Sequence, residues 1–104
     1  MSTEWIAAAA VADLWDGVGA AVIVQGRDLA IFRVGDETFA IDNLCTHGHA
    51  RLCDGFVEGF EVECPLHQGR FDLRSGAATC APAVDAVRSY PVRIDGGRVC
   101  VEID

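Results

Sequence analysis

Two short segments of the chain, Cys45-Thr46-His47 and Cys64-Pro65-Leu66-His67, each offer one thiolate and one imidazole, and sixteen residues separate them. Thiolate sulfur and imidazole nitrogen are donors that suit transition metals. Two thiolates on one iron and two imidazoles on its neighbour make a mixed-ligand [2Fe–2S] centre. Such a centre needs two loops, each giving one Cys and, nearer its tip, one His. The sequence supplies that set once, as Cys45, His47, Cys64 and His67, with His49 left over. The same four donors would also satisfy a tetrahedral zinc ion. Against zinc stand the Cys-x-His spacing, unlike the C-x₂₋₄-C pairs of zinc modules, and the glycine-rich surroundings, Gly48, Gly55, Gly59, Gly69 and Gly76. Glycine lets backbone approach an inorganic core closely and aim amides at sulfur.

Charge states what the iron centre would do. Two thiolates cancel the formal charge of two ferric ions and two sulfides, whereas four thiolates overshoot it, so the mixed-ligand centre accepts an electron more readily. Centres with two histidines accordingly span roughly −150 to +300 mV, against about −400 mV for four-cysteine plant-type clusters. Imidazoles at loop tips leave their iron near solvent, which makes His47 and His67 the expected point of electron entry and exit.

The elements that must position these loops read as strands. Phe60-Glu61-Val62-Glu63-Cys64 alternates apolar with acidic residues, Tyr90, Val92 and Ile94 alternate with polar or turn residues, and Val99, Val101 and Ile103 alternate with Cys100, Glu102 and Asp104. Turn signals at Gly26-Arg27-Asp28, Gly35-Asp36, Asp54-Gly55, Ser75-Gly76 and Asp95-Gly96-Gly97 punctuate them, the last as a hairpin between the two final strands. An all-β fold of antiparallel strands, a small sandwich or barrel, is predicted. A strand is expected from about Thr3 to Ala8, with one helical turn near Val11 to Leu14. Trp5, Trp15 and Tyr90 are expected to pack in the base of the fold. The chain, 1–104, reads as one domain, with the stretch of about 43–76 inserted to carry both metal loops.

Composition removes other classes. Sixteen acidic against eight basic residues give a net charge of −8, the wrong sign for a phosphate backbone, so no nucleic-acid partner is expected. That charge serves solubility or steers the chain toward basic docking patches. The start, Met1-Ser2-Thr3-Glu4-Trp5, lacks a basic signal region, and Ile6–Ala12 is too short to span a membrane. A cytoplasmic setting is expected, where the remaining thiols of the five, Cys53, Cys80 and Cys100, stay free. Neither a phosphate-binding glycine loop nor a supported Ser–His–Asp set is visible.

The chain resembles the Rieske ferredoxins of multicomponent aromatic-ring-hydroxylating dioxygenases, most closely the naphthalene-dioxygenase type. The resemblance extends over nearly the whole chain and is carried by Cys45-Thr46-His47-Gly48, Asp54-Gly55-Phe56, Cys64-Pro65-Leu66-His67-Gln68-Gly69-Arg70-Phe71-Asp72 and Cys80-Ala81-Pro82. It implies the Rieske fold, an antiparallel β-sandwich base with a smaller cluster-binding subdomain, and a proline-containing third loop near Ala81-Pro82-Ala83 covering the cluster. It implies one Rieske-type [2Fe–2S] cluster, with Cys45 and Cys64 on the buried iron and His47 and His67 on the iron that becomes ferrous. His49 is then a loop-surface residue. The implied role is a non-enzymatic one-electron carrier between a flavin-containing NADH-dependent ferredoxin reductase and a terminal Rieske non-haem iron oxygenase of aromatic hydrocarbon catabolism.

High-potential members of the family carry a disulfide between the two loops and serine and tyrosine donors after the second histidine. Here the matching positions are Ala50, Leu66, Gly69 and Phe71. Fewer donors stabilise the added electron less, so a low potential of about −150 mV is expected. Two alternatives stay open, the Rieske small subunit of an assimilatory reductase and a structural zinc module. An oxygenase catalytic subunit is not expected, because 104 residues with three histidines leave no room for a mononuclear iron domain.

Overall fold

The computed structural model describes residues 4–46, 50–66, 68–83 and 85–103. Among them the chain is all strand and turn, with two single-turn 3₁₀ helices at Val11–Asp13 and Leu52–Asp54. Strands β1 (Glu4–Ala10), β10 (Val92–Asp95) and β11 (Arg98–Ile103) form one sheet in the order β1-β11-β10. A second sheet joins β2 (Gly19–Val24), β3 (Arg27–Val34), β4 (Glu37–Asp42) and β9 (Ser89–Tyr90) in the order β2-β3-β4-β9. The third, smaller sheet runs β5-β6-β7-β8, from β5 (Phe56–Glu58) and β6 (Glu61–Glu63) to β7 (Arg70–Asp72) and β8 (Ala78–Cys80). All named strand pairs are antiparallel.

The turn chemistry accounts for the tight connections. Asp95 pairs with Arg98, leaving Gly96-Gly97 as a two-residue hairpin loop. Both glycines sit at positive φ, 59° and 79°, the conformation that matches strand twist and that a side chain would strain. This is the hairpin expected between the last two strands. The amino-terminal strand also forms, two residues longer than its expected end. Pairing from Glu4 with Ile103 to Ala10 with Arg98 overrides the helix preference of the alanines. The helical turn after it is 3₁₀, over Val11–Asp13.

Alternation along β3 explains how the three sheets stack. Leu29, Ala30, Ile31 and Phe32 are all fully buried. Successive side chains of a strand point to opposite faces, and here both faces meet apolar partners. Leu29 and Ile31 join one core with Leu14, Val24, Ala40, Tyr90, Val99, Val101 and Ile103, between the first two sheets. Ala30 and Phe32 join another with Ile41, Leu52, Val62, Phe71 and Leu73, on the side of the small sheet. The middle sheet is therefore shared by a sandwich base and a smaller layer, and the alternating pattern of a half-buried strand is missing from β3 for that reason.

Two expectations of packing need correction. Trp15 does not pack in the base: it is 75% exposed, on the short link between the 3₁₀ turn and β2, where no sheet face covers it. Trp5 is half-covered and lies against the Arg93 guanidinium, 4.6 Å from the ring centre, while Tyr90 is buried as expected. Ile94, read as part of an alternating buried face, is exposed close to the hairpin turn.

Burial on both faces makes a checkable difference. Ile31→Ala is expected to destabilise by about 2–5 kcal/mol and Phe32→Ala by about 3–5 kcal/mol. Ile23→Ala, at an exposed side chain of β2, should stay within about 0.5 kcal/mol. Urea unfolding of the three variants checks this, and a near-neutral result for either β3 variant would mean that one face of β3 is not a core.

Candidate metal centre

Two hairpin tips carry the cysteines, and they are closed in the same way. In the first, Leu44 and Arg51 form an antiparallel bridge, and the Cys45 N–H donates to the Ala50 carbonyl at 3.0 Å. In the second, Glu63 pairs with Arg70 across β6 and β7, and the Cys64 N–H donates to the Gly69 carbonyl at 2.7 Å. Each cysteine is thus the first residue inside a backbone closure. In the second tip the Gln68 N–H returns to the Cys64 carbonyl at 3.0 Å, and Gln68 takes a left-handed φ of 61°. That conformation is costly for a side-chain-bearing residue and marks a tightly constrained turn.

Both thiols are withdrawn from water. Cys45 is 4% and Cys64 0% exposed, and both belong to the core that also contains Ala50, Leu52, Val62, Phe71 and Ala83. The expected ligands His47 and His67, and His49, lie outside the described residues. Among the described residues no group of three or more His, Cys, Asp or Glu is arranged to hold a metal ion, so the two cysteines are the described part of the expected set. Paired soft donors at the roots of two equivalent tips, in apolar surroundings, fit an iron–sulfur cluster better than a hydrated hard cation.

A third loop closes over this end of the fold. It follows β8 at Ala81-Pro82-Ala83, where the Ala81–Pro82 peptide is cis. Thr46, between Cys45 and His47 in sequence, donates its Oγ1 hydrogen to the Asp85 carbonyl at 2.7 Å, which ties the first tip to this loop. The second tip meets it through Gly69. A Cβ added there would lie 2.8 Å from the Ala83 Cβ and 2.9 Å from its nitrogen. Glycine is required at this point because two backbones touch.

Charged groups stand behind the loops. Arg70, beside Gly69, bonds Glu58 at 3.1 Å and Glu63 at 3.2 Å and reaches Glu61 at 3.6 Å. The hydrogen bond to Glu58 is the main cause holding its guanidinium above the usual arginine range. Behind the first loop, Tyr90 donates its hydroxyl to Asp42 at 2.7 Å. Burial, and then that bond, pushes the phenol up. Leu44, just before Cys45, and Leu66, two residues after Cys64, are 55% and 67% exposed.

The other three cysteines, Cys53, Cys80 and Cys100, behave as spare thiols. Burial pushes the Cys53 thiol up, so it stays protonated at neutral pH. Cys100 is buried in β11 and Cys80 is exposed at the end of β8. Sequence reasoning passed over Asn43, the one buried polar side chain among the described residues. The signal was there, an amide residue between a strand and an expected ligand two positions on, where Asn bonds backbone readily.

Gly69→Ala should push the third loop off the second tip and destabilise by about 1–3 kcal/mol in denaturant unfolding. Unchanged stability would mean that the third loop does not seat on Gly69.

Comparison with known proteins places this geometry. The family model for the Rieske [2Fe-2S] domain matches residues 4–91. The ferredoxin component of the naphthalene 1,2-dioxygenase system of Pseudomonas putida is 48% identical over 103 residues, covering 99% of each chain. Among solved structures, the ferredoxin of carbazole 1,9a-dioxygenase from Nocardioides aromaticivorans IC177 superposes with a TM-score of 0.90 at 42% identity, covering 93% of this chain and 95% of that one. A ferredoxin solved in complex with the oxygenase of carbazole 1,9a-dioxygenase gives 0.86 at 34%, with 93% and 91% covered. A weaker likeness links the chain to a protein assigned as an NADH-dependent nitrite reductase small subunit from Mycobacterium tuberculosis, with a TM-score of 0.89 at 26% identity over 100% and 98% of the two chains. The all-β fold, the two buried cysteines on matching tips and the extent of these matches agree, and the chain belongs to the Rieske [2Fe–2S] domain family.

Proposed function

We propose that this protein is a one-electron carrier, the ferredoxin component of an aromatic-ring-hydroxylating dioxygenase system, and that Cys45, His47, Cys64 and His67 hold one [2Fe–2S] cluster per chain. The proposal takes 1–104 as a single domain with the cluster-binding part inserted at about 43–76, working in the cytoplasm. Its electrons come from a flavin-containing NADH-dependent reductase and go to a terminal Rieske non-haem iron oxygenase. When bound, the cluster supplies reversible uptake of a single electron.

The observation that carries this reading is the pair of matched tips, each with a buried cysteine at its root and a histidine further along in sequence. The protein's part is to hold the thiols dry, keep the two tips in fixed relation through Thr46 and Gly69, and present a surface on which partners dock briefly. Exposed Leu44 and Leu66, near the cysteines in sequence, give that surface apolar contacts, and the net charge of −8 would raise encounter rates more than affinity. The relatives named as ferredoxin components support the role, and the one solved with its oxygenase supports the acceptor.

The likeness to a nitrite reductase small subunit favours a second reading, a Rieske subunit of an assimilatory reductase. Versions of that subunit often lack cluster ligands, whereas this chain keeps all four residue types in place. Its identity to dioxygenase ferredoxins is also higher, 48% against 26%.

Anaerobically purified protein should contain about two irons and no zinc per chain. It should be silent in electron paramagnetic resonance when oxidised and show a rhombic signal of low average g after dithionite. Zinc without iron would remove the electron-transfer reading. The midpoint is expected near −150 mV, and a value above 0 mV would contradict the link between missing donors and low potential. Electron transfer from the reductase should slow as ionic strength rises through the range where the Debye length falls below about 10 Å. A salt-independent rate would leave the acidic surface with solubility alone.

A further inference from the structure

We infer that Asn43 is a positioning residue for the cluster, cross-tying the two stems of the first metal loop and fixing them to β3. The inference rests on the proposal that Cys45 and His47 are ligands. It concerns what holds their loop, since the second loop has its own rigid stems in β6 and β7 while the first has only the isolated Leu44–Arg51 bridge.

Asn43 is fully buried, and both polar ends of its side chain are engaged. Its Oδ1 accepts from the Cys53 N–H at 2.8 Å, and its Nδ2 donates to Asp28 Oδ1 at 3.0 Å. Its backbone makes the same two connections again. The carbonyl accepts from the Leu52 N–H at 2.6 Å, and the N–H donates to the Asp28 carbonyl at 3.0 Å. The rungs across the loop therefore run from Cys45 with Ala50, through Leu44 with Arg51, to Asn43 with Leu52 and Cys53. The amide oxygen acts as one extra backbone carbonyl, extending the ladder where the returning chain enters the 3₁₀ turn at Leu52–Asp54.

The outward half of the tie ends on β3, next to Leu29, the first of its four fully buried residues. The loop is thereby registered against the part of the fold least able to shift. Only an amide fits both bonds. Leucine would leave the Cys53 N–H and an Asp28 oxygen unpartnered, and aspartate would set a second carboxylate oxygen against Asp28. No buried side-chain polar atom lacks a partner among the described residues, so removing Asp28 leaves the buried Asn43 Nδ2 unsatisfied, and removing Asn43 strips the Cys53 N–H of its acceptor.

The test uses holoprotein carrying Asn43→Ala, Asp28→Ala, Asp28→Asn or, as a control in the other core, Val101→Ala. Three readouts are taken, namely g values after dithionite, midpoint potential, and the rate at which visible iron–sulfur absorbance is lost to a chelator. Asn43→Ala and Asp28→Ala should shift the g values and midpoint and lose the cluster about tenfold faster or more, the effect expected of groups that orient metal ligands. Asp28→Asn keeps an oxygen acceptor for Nδ2 and should behave as wild type. Val101→Ala should lower thermal stability and leave g values and midpoint unmoved. Wild-type spectra and loss rates in both alanine variants would overturn the inference, as would equal spectral shifts in Val101→Ala. If Asn43→Ala fails to fold, the contrast between Asp28→Ala and Asp28→Asn decides alone. Wild-type protein without iron would instead defeat the cluster reading and is distinguishable from either result.

Discussion

A strand with no exposed face at its centre governs the placement of both metal tips. Leu29 and Ile31 of β3 bury toward the sandwich base, and Ala30 and Phe32 toward the smaller sheet. Sliding such a strand by one residue would exchange every side chain between two differently shaped cores, so its register is held from both sides. β4 is paired to β3 along its length and buries Ala40 and Ile41 toward opposite cores. The first metal loop leaves directly from its end at Asp42. A small domain gains its precision here from sharing one sheet between two hydrophobic layers rather than from covalent clamps, since no disulfide joins its cysteines.

The two tips reach equivalent geometry by different means. The second is the end of an ordinary hairpin, with stems β6 and β7 and a left-handed Gln68 completing the turn. The first has almost no strand of its own beyond β4 and relies on a bridge and a side-chain amide. The third loop then joins both, through the Thr46 hydroxyl and through the close approach at Gly69. Thiols placed in this setting are dry, and negative charge near them is strengthened by the low local dielectric. In the proposed centre, neutral imidazoles in half the ligand positions would limit that charge, which is the physical argument for a mixed donor set.

Much of this was legible in the residue pattern. The two Cys/His segments, the hairpin at Gly96-Gly97 and the strand at β11 follow from spacing and turn chemistry alone, and the fold class follows from them. Other features depend on tertiary packing that no local pattern encodes. The uninterrupted apolar run of β3 signals burial but not that two separate cores share it. Trp15 looks like a core residue by type and stands in solvent because the 3₁₀ turn carries it off the sheet. Asn43 reads as a turn residue until its partners Asp28 and Cys53, distant in sequence, are seen on either side of it.

The central claim is that both tips contribute to one mixed-ligand cluster through His47 and His67. The chain has three histidines, so His49→Ala leaves only these two. Pulsed electron paramagnetic resonance on the reduced variant, grown with ¹⁵N-histidine, reads the metal-bound imidazoles directly. Couplings from two inequivalent histidine nitrogens are the expected result. An iron–sulfur signal with only one such coupling, or with none, would contradict the assignment of both tips to a single centre.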